Sequence, residues 1–179
     1  MVLVIMAAAG GFAALRATTL LQVQALKNTL LRGADAANFD KYAKEFDARA
    51  NEMRGLRKQM GDLAHTFTPE EQALLAKFDA GWAGYIEAWP KAKEAYGGPG
   101  GGKQKEADAD MNGKDRDAVA ALDELSLSVK SRLDTADQTL ASAGAGTFSV
   151  VLGLLGLGVT LGLAVAARFA LEHADATEL

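Results

Sequence analysis

Cysteine is absent and histidine occurs only twice. Disulfides, thiolate zinc sites, iron–sulfur clusters, covalently attached haem and multi-histidine metal centres therefore fall away. Proline is scarce, with three in 179 residues, which leaves long stretches free to be helical. There is no basic excess: 19 Lys and Arg stand against 23 Asp and Glu, for a net charge of −4. A chain without a positive field makes a poor binder of DNA or RNA, so no nucleic-acid partner is expected. Sustained period-two alternation is missing, and no strands are expected. Carboxylates abound, but none stands beside a plausible nucleophile in an apolar setting. The chain is accordingly expected not to be an enzyme and to carry no cofactor or metal.

What is present is apolar sequence in two places and a charged middle. The 30 residues from Gln138 to Ala167 carry no charge, and Phe148 to Ala167 is apolar almost throughout. A membrane span needs about 20 such residues, so a transmembrane helix is expected over 141–168, followed by a short tail, 169–179. Met1 to Leu15 is also apolar, but Arg16 interrupts it. Fifteen helical residues reach only about 22 Å, short of a ~30 Å hydrocarbon core. The stretch 1–19 thus reads as a short or truncated first span, with Arg16 snorkelling to the headgroups. A signal peptide cleaved at Ala7-Ala8-Ala9 is the competing reading, although the positive n-region is lacking.

Residues 20–140 read as helices with one apolar stripe each. Phe39, Tyr42, Phe46, Arg49, Met53, Leu56, Met60 and Leu63 recur at steps of three and four. Leu75, Phe78, Trp82, Tyr85, Trp89, Ala92 and Tyr96 recur at three and four, as do Leu122, Leu125, Val129, Leu133, Ala136 and Leu140. Gly33 is expected to stop the first helix and Asn38 to cap the second. Thr68-Pro69-Glu70-Glu71 places a capping hydroxyl before a proline and two acids. Pro90 is expected to kink or end the third helix near Trp89. The run Gly97-Gly-Pro-Gly-Gly-Gly102 separates the third helix from the fourth. Short connections between four helices predict an all-α fold, an antiparallel up-down-up-down four-helix bundle continuous with one or two transmembrane helices. One length does not fit, because the first helix has some 17 residues after Arg16 while the others run far longer. Either part of 1–15 packs outside the bilayer, or upstream sequence is missing.

Gln22-Val-Gln-Ala-Leu-Lys-Asn-Thr-Leu-Leu-Arg-Gly33, followed by Phe39-Asp-Lys-Tyr42, resembles the start of the ligand-binding region of bacterial methyl-accepting chemotaxis proteins. Phe78-x-x-x-Trp82-x-x-Tyr85, Gly113-Lys-Asp-Arg116 and Leu122-Asp-Glu-Leu125 are similar to that family as well, so the resemblance spans about residues 20–165. It implies a periplasmic four-helix sensor, homodimeric in the inner membrane, that passes ligand state through the second span to a cytoplasmic kinase-control module. The chain departs from that pattern in its short first span and in ending at Leu179, before any signalling coiled coil. A fragment and a stand-alone relative are the two expectations that follow.

Candidate ligand-binding residues are Lys27, Asn28 and Arg32 on the first helix and Trp82 and Tyr85 on the third. A basic group there can meet a carboxylate ligand, Arg32 bidentately; the alternative is a solvated face. The aromatics can wall a pocket with their polar tips, or simply form core. His65 beside a turn reads as a surface residue. Asp108, Asp110, Asp115 and Asp117 lack the glycine and terminal glutamate of a calcium loop and read as a solvated helix start. Gly153, Gly156, Gly158 and Gly162 match the small-xxx-small spacing of membrane helix–helix contacts. A chemoreceptor-type sensor binding a small molecule is the first functional expectation. The second is an accessory subunit that docks on other membrane subunits through that glycine face.

Overall fold

The computed structural model describes residues 2–143, and among them the fold is all-helical, without strands. Most of the second span expected over 141–168, its four glycines and the tail 169–179 lie outside the described residues. The helices are α1 (Val2–Arg32), α2 (Ala36–Asp62), α3 (Pro69–Tyr96), α4 (Gln104–Met111) and α5 (Arg116–Ala143), with one 3-10 turn, Ala64–Thr66, between α2 and α3.

Local chemistry sets most boundaries. Asp35, not Asn38, caps α2: its Oδ1 accepts the Asn38 backbone N–H at 2.9 Å. Asp35 does so from an extended backbone, leaving Asn38 one turn inside the helix. Gly33 does end α1, but not through a left-handed backbone. It is buried, and a Cβ there would crowd the Phe39 ring and the Tyr96 hydroxyl at 3.0 and 3.1 Å. At α3 the expected signals coincide. Thr68 Oγ1 accepts the Glu71 N–H, Glu71 Oε2 accepts the Thr68 N–H, and Pro69 opens the helix. Gly97 ends α3 with φ 89°, in the left-handed region that glycine enters without cost.

Two elements differ from expectation. Of the kink or end expected at Pro90, the end is not seen: α3 continues to Tyr96. Proline removes one helical N–H donor, and Pro90 sits on the exposed face, where water can satisfy the freed carbonyl. The fourth helix comes in two pieces, α4 and α5, broken at residues 112–115 where Gly113 takes φ 75°.

α1 packs along α2 and α5, and α3 along α4 and α5. Near the start of α1, Gly11 lies against the Met60 side chain, and Phe12 meets Phe67 with ring centroids 5.2 Å apart. Gly81 of α3 approaches the Ala118 backbone so closely that a Cβ would stand 2.8 Å from Ala118 N. The apolar interior falls into two clusters. One centres on Phe12 and gathers Ile5, Ala8, Leu15, Met53, Met60, Phe67, Leu75, Phe78 and the Ala118–Val129 stripe of α5. The other centres on Tyr96 and gathers Leu26, Leu30, Phe39, Phe46, Tyr85, Trp89, Ala107 and Met111.

α1 is long and apolar enough to cross a membrane, and it includes the stretch 1–19 expected as a first span. One face of that stretch is buried among the other helices, with Ile5 at 5% exposure and Phe12 and Leu15 at 0%. Along its outward side α1 keeps Leu3, Leu20 and Leu21 exposed.

Candidate functional site

The five residues singled out for ligand binding do not converge on one place. Lys27 and Arg32 are exposed on α1, and Asn28 Oδ1 accepts a bond from Gln24 Nε2 at 3.3 Å. Arg32 turns to Tyr42 of α2, donating to its hydroxyl at 3.0 Å with the guanidinium 5.9 Å from the ring centre. Trp82 and Tyr85 belong instead to the interior of α3, where the core reading of the aromatic stripe places them. The two halves of the candidate site thus have separate neighbours.

Trp82 is the more informative of the aromatics. Its Nε1–H donates to Gln22 Oε1 at 3.0 Å, and Gln22 is fully buried although it is an amide. A buried amide is stable only when its polar atoms are bonded. The Gln22 amide nitrogen faces the Phe46 carbonyl at 3.5 Å, the limit of a useful contact. Thr18 and Thr19 are buried beside it; the Thr19 hydroxyl donates back to the Leu15 carbonyl, and Thr18 donates to Glu52 at 3.4 Å. A polar level therefore crosses the interior at the height of Gln22 and Trp82.

Tyr85 lies one turn further along α3 and packs on Phe46, ring centres 5.5 Å apart. Its hydroxyl is buried and has no hydrogen-bond partner among the described residues; the same holds for Tyr96. Burial pushes the Tyr85 phenol far above its ordinary value, and the Asp115 carboxylate near the helix break adds to the rise. Burial raises the Tyr96 phenol as well. Both hydroxyls stay protonated in the fold and offer donors that nothing described accepts.

The sequence reading passed over a second polar cluster. Glu71 is fully buried, and its carboxylate accepts three bonds: from the Thr68 N–H at 2.9 Å, the Ser128 hydroxyl at 3.1 Å and Arg132 Nη1 at 2.5 Å. Arg132 also donates to the Thr66 carbonyl at 3.2 Å. This clasp ties the start of α3 and the preceding turn to the far part of α5. The sequence signal was available in part, since a glutamate three residues after a capping threonine marks a capping box. Nothing local announced Ser128 and Arg132 as partners.

Elsewhere charges act as struts. Arg57 chelates Asp79 with contacts of 2.6 and 2.7 Å between α2 and α3, and Arg16 meets Asp123 between α1 and α5. Exposed Lys91 is held above its ordinary value by its bond to Asp110. His65 is exposed, its Nδ1 facing the Asp62 carbonyl at 3.1 Å. Among the described residues no group of three or more histidines and carboxylates is placed to hold a metal ion.

No protein-family model matches the chain, and no significant match joins it to a curated protein or to a solved structure.

Proposed function

We propose that this chain is the membrane-anchored, ligand-sensing part of a chemoreceptor-type signal transducer, homodimeric in a bacterial inner membrane with its helices facing the periplasm. In this reading α1, α2, α3 and the broken α4–α5 make an antiparallel up-down-up-down four-helix bundle. Its supports are end-to-end contacts: Phe39 beside Gly33, Met60 against Gly11, and Arg132 at the start of α3. The observation that carries the reading is α5. It is one helix from the interior stripe of Leu122, Leu125 and Val129 to Ala143, five residues short of the uncharged Phe148–Ala167 stretch. A displacement of its core face by an ångström or two, a common switching amplitude, passes along the helix toward that stretch. Lys27, Asn28 and Arg32 supply an accessible polar surface for a small ligand, and Trp82 and Tyr85 stand apart from it in the interior of α3. No catalytic step and no cofactor enters.

In this reading the lower part of α1 belongs to the bundle and 141–168 is the anchor. Native mass spectrometry of the protein extracted in detergent tests it, followed by a small-molecule thermal-shift screen. A self-dimer stabilised by a small ligand supports the sensor. A single copy in fixed stoichiometry with foreign subunits overturns it.

A second reading, an accessory subunit of a larger membrane complex, is favoured by one observation. Leu3, Leu31 and Leu127 stand 66%, 69% and 68% exposed, single apolar side chains that a foreign subunit would cover. Under that reading Gly158→Ile weakens docking, whereas under the first it leaves ligand affinity unchanged.

A further inference from the structure

The two apolar clusters share one boundary, and two independent features meet there. Gln22, buried and polar, bonds Trp82 at that height, and Trp82 is packed against both clusters. The fourth helix is broken at the same level. Met111, the last residue of α4, belongs to the Tyr96 cluster, whereas Ala118, in the first turn of α5, belongs to the Phe12 cluster. Ala118 lies against Gly81, the residue before Trp82, so the break and the polar pair are neighbours in space.

Each feature loosens the tie between the halves. A continuous helix carries its hydrogen-bond ladder across a boundary, but Gly113 with φ 75° interrupts that ladder between α4 and α5. Apolar contacts tie a core in proportion to the area they bury, and a buried amide replaces such contacts with one oriented bond. Cooperative subunits of a fold separate where buried apolar contacts thin out. The Tyr96 half has polar ties of its own, from Trp89 Nε1 to Asp47, from Arg32 to the Tyr42 hydroxyl and from Lys91 to Asp110, but two features weaken it. It holds two buried hydroxyls without partners among the described residues, and it is closed by a turn whose Gly97, Gly98, Gly100 and Gly102 all have positive φ. The Phe12 half is held by the Glu71–Arg132 clasp and the Arg57–Asp79 chelate.

We infer that the Gln22–Trp82 pair and the break at Gly113 form a hinge plane, above which the Tyr96 half opens as a unit while the Phe12 half, including α5, stays folded. The inference does not depend on the sensor reading. If that reading also holds, ligand affinity and the position of α5 are set by two separately adjustable cores.

Hydrogen exchange of the full chain in nanodiscs, followed by mass spectrometry, tests this. Peptides from 83–111 are expected to exchange at least about tenfold faster than peptides from 118–133. Met111→Ala, a cavity in the Tyr96 half, should speed 23–46 and 83–111 a further tenfold or so and leave 5–15, 53–62 and 118–133 within about twofold. Leu122→Ala should do the reverse. Should Met111→Ala fail to fold, Tyr96→Phe serves, because it removes a hydroxyl without a partner among the described residues and slows exchange in the Tyr96 half alone. Gln22→Leu with Trp82→Phe replaces both polar partners by apolar groups and should bring the two exchange rates together. Equal exchange in the unmodified protein, or equal response of both halves to either cavity, overturns the hinge. So does a double variant that leaves the rate difference intact.

Discussion

Replacing Arg132 by methionine isolates the energetics of the buried clasp. Methionine keeps the apolar stem and deletes the charge, so Glu71 is left with the Thr68 N–H and the Ser128 hydroxyl as its donors. Breaking a buried ion pair from one side costs about 3–5 kcal/mol, because the remaining charge stays in the interior. Here only one partner is fully buried: the Glu71 side chain is 0% exposed and that of Arg132 27%. Water reaching the guanidinium screens the pair, and the expected loss falls to about 2–3 kcal/mol. For a chain of this size that lowers Tm by roughly 4–12 °C. Glu71→Gln in the same background removes the orphaned charge yet retains an oxygen for the capping N–H. It should restore about 1–2 kcal/mol, giving a coupling in a double-mutant cycle larger than that by whatever Glu71→Gln alone costs. The assay is urea and thermal unfolding of the full chain in detergent, followed by far-UV circular dichroism at neutral pH. An Arg132→Met loss below about 1 kcal/mol, or strictly additive single effects, would show that the clasp is a solvated contact and refute the reasoning.

Other expectations can be checked with the same preparation. Phe12→Ala should cost about 3–5 kcal/mol, since Phe12 is fully buried against Phe67; a silent substitution would mean that α1 does not pack there. Thr68→Ala should cost about 1 kcal/mol by removing the α3 cap, and Thr68→Ser should restore it. Tyr85→Phe should be neutral or stabilise by up to about 1 kcal/mol, because the hydroxyl it deletes has no partner among the described residues. The phenols of Tyr85 and Tyr96 are raised in the fold, so the folded state holds their protons more tightly than the unfolded chain does. Their contribution is intact below the ordinary phenol value of about 10 and is lost as pH climbs above it. Ultraviolet titration should show both ionising only together with alkaline unfolding; reversible ionisation of either in the native protein near pH 10 would contradict their burial.

Features encoded within a few residues were legible in the sequence. The Thr68-Pro-Glu-Glu box starts α3 as its chemistry demands, and the glycine run ends it. The spacing of Leu122, Leu125 and Val129 put one face of α5 inside. What escaped was set at long range. Gln22 and Trp82 are 60 residues apart, and Glu71 and Arg132 are 61 apart; periodicity records that a residue faces inward, not what it meets there. Local rules also lost where tertiary context intervened. Pro90 is tolerated because its face is wet, and Asp35 outcompetes Asn38 because of where the backbone leaves the helix. The short α4 hid in a charged stretch, since eight residues with Ala107 and Met111 as their buried contacts give periodicity little to register. Of the ligand candidates, the sequence recognised polar α1 residues and α3 aromatics but not that they face different surroundings.

α1 shows most clearly why composition cannot choose between a membrane span and a core helix. Both environments select apolar side chains, and a helix apolar on all sides is compatible with either. Neighbours decide. Gly11 lies against Met60, and one turn back on α2 Arg57 is chelated to Asp79 of α3. Arg16 itself is bonded to Asp123 of α5. A hydrocarbon phase around α1 at this height would have to admit those ions, at several kcal/mol for each charge it dehydrates. The packed arrangement and a spanning α1 are therefore mutually exclusive over residues 5–16. For α1 to cross a bilayer it must leave the cluster and uncover Phe78, Leu122 and Leu125, all at 0% exposure. Accessibility labelling of single cysteines at positions 7 and 13, on the outward face, separates the two. Reaction with a charged maleimide in intact membranes places α1 beside its helices, and protection at both positions places it in lipid or under a partner.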